Sequence, residues 1–275
     1  MTDVVATEVV TAAESPARPR RETLLPWITT PLLLALLIGI WHVYVTMTGL
    51  SSFILPAPGK VWDAWMDMLA SPRAWGHTWM TIYVTLVGFA WALVIGVFLG
   101  VVLGRVRWLE LTLNPFVVAT QVIPKVALLP LFIVWFGFGA TSKVIVAAVL
   151  AFFPILTNTV LGVKSVEAGH RDVMTSLNAS TWQIFRRLEL PSSLPYILTG
   201  MEVGIVLAII GAIVGEYLGG NSGLGFMLVS KMNGYDTEGL FAVILQMTLI
   251  GFVLYFATGA LRRLLIPWHQ SVTLK

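Results

Sequence analysis

Residues 171–191, RDVMTSLNASTWQIFRRLELP, form a polar, amphipathic stretch with apolar stretches of membrane-spanning length on both sides. Apolar residues recur at helical spacing on either side of Asn178: Val173, Met174 and Leu177 before it, and Trp182, Phe185 and Leu188 after it. This pattern predicts a helix, a pivot at Asn178 and a second helix that enters the next apolar segment at Leu190 and Pro191. Loops that only connect helices are short, so we expect this stretch to contact another molecule.

The composition indicates an integral membrane protein. Of the 275 residues, 57% are hydrophobic and 11% are charged, whereas charged residues make up about a quarter of a soluble domain. The chain has no cysteine, which excludes a disulfide framework, a thiol nucleophile and a cysteine metal site. The net charge of +3 does not indicate nucleic-acid binding, because the basic residues are scattered along the chain.

Several stretches are long and apolar enough to cross a bilayer, which needs about 20 helical residues. The six predicted spans are 26–47, 81–104, 113–136, 144–163, 195–218 and 240–261. Residues 1–25, rich in Pro, Thr, Ala and charge, are predicted to be a disordered tail, and residues 266–275 to be a C-terminal tail. We expect the first span to be an anchor, because it is too long for the apolar region of a signal peptide.

The basic residues predict the orientation of the spans. With the N-terminal tail inside, the outer segments would hold only Lys60, Arg73, Lys143 and Lys231, and Lys125 lies within a span. The remaining Lys and Arg residues would lie in inner segments, which favours both termini in the cytoplasm. Residues 164–191 then also face the cytoplasm.

The third span is interrupted by prolines. Residues 113–139, LNPFVVATQVIPKVALLPLFIVWFGFG, contain Pro115, Pro124 and Pro130. Interior prolines break helical hydrogen bonds, and free backbone at membrane depth is tolerated only against protein or a water-filled cavity. A lysine at this depth costs about 2.5 to 3.5 kcal/mol. Lys125 therefore either snorkels or pairs with a carboxylate such as Glu216, or it lines a translocation route with Gln121.

Glycines at four-residue spacing occur in the second and fifth spans. They are Gly96, Gly100 and Gly104, then Gly200 with Gly204, and Gly211 with Gly215. Small residues one turn apart let helix backbones approach closely, so we expect helix packing there; a flexible gate is the alternative.

The 171–191 stretch resembles the cytoplasmic EAA loop of the permease subunits of binding-protein-dependent ABC importers. In that loop an acid and two small residues precede a glycine, an aliphatic residue and Leu-Pro; the matching residues are Asp172, Val173, Met174, Asn178, Leu188, Leu190 and Pro191. Asn178 replaces the usual glycine, and asparagine tolerates a left-handed backbone. An amphipathic helix lying on lipid headgroups through Arg186 and Arg187 is the alternative.

Two further segments are similar to this family. In the nitrate, sulfonate and taurine branch, the third span carries a pattern matched here by Gln121, Pro124, Ala127, Pro130, Leu131, Trp135, Phe136, Gly137 and Gly139. Gln121 stands where arginine is usual, as in members that look like importers of vitamin-like heterocycles and aromatic acids. Residues 216–228, EYLGGNSGLGFML, match a second family segment through Glu216, Gly223, Leu224 and Gly225. We expect a re-entrant turn at the outer mouth, with Glu216 as a gate or a pairing carboxylate.

The resemblance, which covers residues 53–265, implies an all-α membrane protein with six transmembrane helices and the type I (MetI-like) permease fold. It implies an importer in the bacterial inner membrane, driven by alternating access, for a small polar or anionic organic solute: a sulfonate, taurine or nitrate, or an aromatic acid or vitamin precursor. The implied partners are a second copy or a related permease, two cytoplasmic ABC ATPase subunits that bind ATP and Mg, and an extracytoplasmic solute-binding protein. The chain itself would be no enzyme and hold no cofactor.

The residue patterns and the resemblance together give the expected site residues. The expected ATPase-coupling residues are Asp172, Val173, Met174, Asn178, Trp182, Phe185, Leu188, Leu190 and Pro191, and those of the translocation path are Gln121, Pro124, Lys125, Pro130 and Glu216. Residues 53–75 are predicted to contain a short amphipathic helix that caps the bundle or receives the binding protein. An ion-gradient-driven transporter or channel is the alternative function, but the chain lacks the paired broken helices of such proteins.

Overall fold

The computed structural model describes residues 20–267, and side chains from residue 28 onward. All regular structure in this range is helical. The predicted tails lie mostly outside the described residues, although the first helix begins at Arg20, before the predicted span at 26. That helix, α1 (Arg20–Thr48), belongs to one compact unit, and all later helices belong to a second unit that starts at Ser52.

The described part of the second unit, residues 52–267, contains ten α-helices, a 3₁₀ turn at Lys125–Leu128 and a π-helical segment at Phe185–Glu189. The α-helices are α2 (Pro58–Ala70), α3 (Pro72–Arg105), α4 (Arg107–Val122), α5 (Leu129–Phe136), α6 (Ala140–Lys164), α7 (Ala168–Ser176), α8 (Thr181–Ile184), α9 (Leu190–Gly219), α10 (Leu224–Asn233) and α11 (Thr237–Leu265).

Five continuous helical stretches among the described residues are long and apolar enough to cross a membrane: Ile28–Thr48, Pro72–Arg105, Ala140–Lys164, Thr181–Gly219 and Thr237–Leu265. A sixth span exists if the bent pair Arg107–Val122 and Lys125–Phe136 is counted as one. Several helices extend beyond the predicted spans, because an apolar stretch marks only the part of a helix that lies in hydrocarbon.

Helix α6 lies between α3 and α9, and glycines make the close approach possible. A Cβ on Gly100 of α3 would lie 2.5 Å from the Cβ of Thr159, and a Cβ on Gly211 of α9 would lie 2.7 Å from the Cα of Ala147. Both contacts are too short for a real side chain, so the expectation of close helix packing at these glycines is confirmed. The other glycines of the two patterns also face α6: Gly96, Gly104, Gly200, Gly204 and Gly215.

The amphipathic helix α2 packs against α11. Val61 and Met68 of α2 are buried, and Trp65 Nε1 donates a hydrogen bond of 2.9 Å to Gln246 Oε1 of α11. Trp62 stays exposed, as suits a tryptophan at a membrane interface.

Candidate functional site

Residues 164–191 form a helical segment, here called the coupling segment, that contains α7, α8 and the π-helical segment. Asn178 lies between α7 and α8 with a φ of 52°, in the left-handed region. The left-handed backbone expected at Asn178 is confirmed, and asparagine tolerates this conformation. Ser180 then starts α8 with a capping box: its hydroxyl accepts from Gln183 N–H at 3.3 Å, and Gln183 Oε1 accepts from Ser180 N–H at 2.7 Å.

The exposed surface of the coupling segment carries large apolar side chains among polar ones. Helix α7 buries no residue, and Val173, Leu177 and Trp182 are all largely exposed, Trp182 to 65%. Asp172 is exposed beside them. Val173 and Leu177 lie about one helical turn apart at the end of α7, and exposed apolar side chains that share a surface mark a contact with another protein or with a membrane.

The other predicted coupling residues turn toward the bundle. Phe185 is half-buried, and its ring centroid lies 5.2 Å from Arg105 Cζ at the end of α3, a cation–π contact. Leu188 and Leu190 are also half-buried, and Pro191 lies in the first turn of α9, directly after the π-helical segment. Proline has no N–H, so it donates no helical hydrogen bond there. The apolar residues predicted for this segment therefore divide into an exposed group and a group that faces the bundle.

Glu189 is a residue of this site that the sequence reasoning missed. Its side chain is 4% exposed, and its carboxylate lies 2.9 Å from Arg105 Nε and 3.3 Å from Arg171 Nη2 of α7. Arg171 Nη2 also donates to the backbone oxygen of Val163 in α6, at 3.2 Å. The sequence feature that could have indicated Glu189 is its position as an acidic residue between Leu188 and Leu190, at the start of an apolar helix.

The third predicted span is broken by an 84° bend between α4 and the helical turn that follows. Pro124 lies in the break, and Ile123 before it is extended with ψ 127°, as the residue before a proline prefers. Pro130 lies in the first turn of α5, where proline is tolerated. Helix α4 and the turn at Lys125–Leu128 bury no residue in the described chain.

Lys125 lies at this bend and does not pair with Glu216. Its Nζ lies 4.7 Å from the centroid of the Phe153 ring on α6 and donates to the backbone oxygen of Gln121 at 3.3 Å. The Gln121 side chain is exposed. The pairing alternative for Lys125 and Glu216 is therefore wrong, and the polar groups at the bend remain accessible.

Glu216 lies near the end of α9 and is fully buried. Thr81 Oγ1 of α3 lies 3.0 and 2.8 Å from its two carboxylate oxygens, and Gly225 N–H donates to Oε2 at 2.9 Å. Thr81 Oγ1 accepts in turn from Leu224 N–H at 2.8 Å. This position separates Glu216 from the four other predicted path residues, which lie at the bend.

The turn at 220–223 is held by side chains from two other helices. Gly223 has a φ of 104°, and its N–H donates to Nδ1 of His77 on α3 at 3.1 Å. A Cβ at Gly223 would overlap the Glu216 carboxylate. Lys143 of α6 donates to the backbone oxygen of Ser222 at 2.9 Å. Lys143, counted above as an outer-loop charge, is 1% exposed and belongs to the bundle.

The histidines contribute no metal site to the described part of the chain. No group of His, Asp or Glu side chains among those residues is arranged to hold a metal ion. In His77, Nδ1 accepts the hydrogen bond from the Gly223 N–H.

A bundle of membrane-length helices with large apolar side chains exposed on the coupling segment is typical of a membrane protein that contacts another protein or the membrane surface. Residues 92–268 match the model of the family described as binding-protein-dependent transport system inner membrane component, and the chain belongs to that family.

The chain is similar over most of its length to permease proteins of several transport systems. The chain is 39% identical over 246 residues to the riboflavin transport system permease protein of Chloroflexus aurantiacus, covering 90% of this chain and 92% of that one. It is 36% identical to the formylaminopyrimidine transport permease protein of Halalkalibacterium halodurans, covering 86% and 94%. It is 30% identical to the taurine transport system permease protein of Escherichia coli, covering 87% and 89%.

A solved structure shows the same fold. The chain superposes with a TM-score of 0.60 on an inward-facing conformation of the MetNI methionine ABC transporter, at 22% identity, covering 67% of this chain and 92% of that one. The predicted type I (MetI-like) permease fold is confirmed. The chain is thus the multi-pass inner-membrane permease of an ATP-driven importer, and ATP hydrolysis takes place in a separate subunit.

Proposed function

We propose that two copies of this chain assemble with two cytoplasmic ABC ATPase subunits, which bind ATP and Mg²⁺, and with an extracytoplasmic solute-binding protein. The lack of buried residues along α4 and the turn after it supports the second copy. A transmembrane helix with Gln121 and Thr120 exposed needs a protein or aqueous neighbour, because polar groups facing lipid are costly.

The exposed face of the coupling segment is the proposed contact with the ATPase. Val173, Leu177 and Trp182 supply the apolar contact area, and Asp172 supplies a charge. Met174 and Asn178 position these side chains, whereas Phe185, Leu188, Leu190 and Pro191 join the segment to the bundle. We expect that replacing Asp172, or deleting residues 178–182, leaves membrane insertion intact and abolishes transport-coupled ATP hydrolysis.

Both termini and the coupling segment lie in the cytoplasm in this proposal. The chain has no cysteine. A single introduced cysteine is therefore the one thiol of this chain that can be labelled, and its labelling shows on which side of the membrane it lies. Ser176→Cys, on exposed α7, should resist a membrane-impermeant maleimide in intact spheroplasts, and Phe138→Cys, exposed after α5, should react. The reverse labelling would overturn the orientation.

We propose that the bend between α4 and α5 lines the translocation path of the solute. Gln121, Pro124, Lys125 and Pro130 lie there, and Lys125 offers a cation beside the Phe153 ring. A cation next to an aromatic face suits a small solute that is anionic or has a planar ring. We infer a vitamin-like heterocycle or an aromatic acid, with a sulfonate, taurine or nitrate as the other class.

The deciding experiment is reconstitution in proteoliposomes with the ATPase and the binding protein. Uptake should require both partners and ATP, and the solute should be one that the binding protein retains from a panel of riboflavin, formylaminopyrimidine and taurine. Uptake that needs an ion gradient but neither ATP nor binding protein would establish the secondary-transporter alternative instead.

A further inference from the structure

Glu189 connects three separate helices at the cytoplasmic end of the bundle. It ends the π-helical segment that leads into α9, and its carboxylate contacts Arg105 at the end of α3 and Arg171 of α7. Through Arg171 the same cluster reaches the last turn of α6 at the Val163 carbonyl. One buried carboxylate thus joins the coupling segment to α3, α6 and α9.

Helix α7 has few other attachments to the bundle. It buries no residue, and it is followed by the left-handed residue Asn178. A force applied to the exposed face of α7 can therefore reach the bundle through the flanking backbone or through Arg171. The backbone route passes through turns, whereas the Arg171–Glu189–Arg105 route is direct and centred on a buried carboxylate.

The surroundings of this cluster make it stiff. The Arg105 guanidinium lies between the Glu189 carboxylate, at 2.9 Å, and the Phe185 ring, at 5.2 Å. At the neighbouring Gly104, a Cβ would lie 2.8 Å from the Val163 Cβ, so α3 and α6 cross closely there. The Glu189 carboxylate is buried, whereas the Arg105 and Arg171 side chains are 30% and 39% exposed. A π-helical segment inside an α-helix often lies at a functional position.

We propose that Glu189 is a positioning residue that transmits the movement of α7 to the cytoplasmic ends of α3, α6 and α9 during transport. The carboxylate contacts neither solute nor ATPase; it acts by holding Arg171 and Arg105. This proposal rests on the proposed function, in which the ATPase moves α7.

The test uses the complete complex of permease and ATPase in nanodiscs and needs no solute. A spin label at Phe138→Cys reports the distance between the outer ends of the two copies, and ATP with orthovanadate is the trigger. In the otherwise unchanged chain this distance should shift when the trigger is added. No shift in that reference chain would contradict the proposed function itself, independently of Glu189.

Glu189→Gln keeps the shape of the side chain and removes its charge. Arg171→Gln removes the ion pair between α7 and Glu189 and leaves the pair with Arg105 in place. Both variants should keep the ATPase bound and hydrolysing ATP. The equilibrium constant for the outer-end shift should fall by about 5- to 150-fold, the range of allosteric couplings. Arg263→Gln, at an exposed position in the last turn of α11 and outside the coupling segment, is the control and should shift like the reference chain.

Two further variants separate transmission from folding. Arg171→Lys keeps the charge and should restore most of the shift. The double variant Arg171→Gln/Glu189→Gln should lose no more than Glu189→Gln alone, because residues that act through one contact are not additive. A full shift in assembled Glu189→Gln or Arg171→Gln complexes would overturn the proposal, and so would strict additivity.

Discussion

Thr81 of α3 and Glu216 of α9 are joined by a buried hydrogen bond, in which Thr81 Oγ1 lies 2.8 Å from Glu216 Oε2 and 3.0 Å from Oε1. The same hydroxyl oxygen accepts from Leu224 N–H at the start of α10. One side chain therefore fixes both the carboxylate and the backbone of the turn beside it. Since both residues are nearly or fully buried, neither has water as a substitute partner.

We expect Thr81→Val to lower the free energy of unfolding by about 1 to 3 kcal/mol, the cost of leaving buried polar groups without partners. The change keeps the volume and branching of the side chain, so cavity formation contributes little. Thermal unfolding in detergent, followed by tryptophan fluorescence, measures the effect. Thr248→Val is the control, because that exposed hydroxyl bonds only to the Ile244 carbonyl of its own helix; an equal loss in both variants would contradict the role of Thr81.

The close contact between α6 and α9 at Gly211 gives a second prediction. Gly211→Ala would bring a Cβ to 2.7 Å from Ala147 Cα, and backbone cannot rotate away as a side chain can. We expect a loss of about 1 to 3 kcal/mol of stability from the forced separation of the helices. Gly251→Ala in α11 has no heavy atom of another element within 4 Å of the new Cβ and should be neutral or stabilising by up to about 1 kcal/mol. The same unfolding assay compares the two, and a harmless Gly211→Ala would show that the contact is loose.

Local pattern predicted much of this architecture, and the residues that it missed are those with distant partners. The Gly-x-x-x-Gly repeats predicted close helices because one glycine per turn is a local signal, and Pro124 predicted a break because its effect is local. Glu189 and Lys143 were not predicted as site residues, since an acid or a lysine in a sequence does not reveal whether its partner is water or a helix far along the chain. The same reason explains why pairing of Lys125 with Glu216 was an alternative. A sequence shows that the two side chains carry opposite charges, but it does not show the distance between them in the fold.

The left-handed conformation of Asn178 gives a third prediction. A β-branched residue at a φ of 52° is strained by about 1 to 2 kcal/mol, and relaxing that strain would move α7 relative to α8. Asn178→Val should therefore weaken co-purification of the ATPase and its stimulation by the loaded binding protein. Asn178→Gly removes the side chain and keeps the conformation available, so it should behave like the unchanged chain. Equal activity in both variants would show that the pivot does not depend on this conformation.

Asp236, in the connection between α10 and α11, predicts a dependence of stability on pH. Partial burial alone would raise the pKa of its carboxyl, but hydrogen bonds from Lys231 Nζ at 2.7 Å and Gly239 N–H at 2.8 Å hold the pKa below its usual value. Its contribution to stability is present above the unfolded pKa, about 3.9, and is lost as pH falls through the lower folded pKa.

The difference in melting temperature between the unchanged chain and Asp236→Asn should therefore be constant near neutral pH and shrink as pH falls below about 4. Asp63→Asn, at an exposed position of α2, controls for the loss of one negative charge. A difference that persists undiminished at the lowest pH would mean that the carboxylate charge is not what stabilises this turn.

Lys125 gives the last prediction, on solute selection. Lys125→Met keeps a long unbranched side chain over the Phe153 ring and removes the charge. If the ammonium contacts an anionic group of the solute, the loss of a charged hydrogen bond costs about 1.5 to 3 kcal/mol, which corresponds to roughly a 10- to 150-fold fall in uptake of an anionic solute. Lys125→Arg, which keeps the charge and the stacking, should retain most of the uptake.

The measurement is ATP-driven uptake in proteoliposomes of the solute that the binding protein selects, with co-purified ATPase as the check on assembly. Unchanged uptake by Lys125→Met would show that Lys125 only supports the bend, through its contacts with Phe153 and the Gln121 carbonyl.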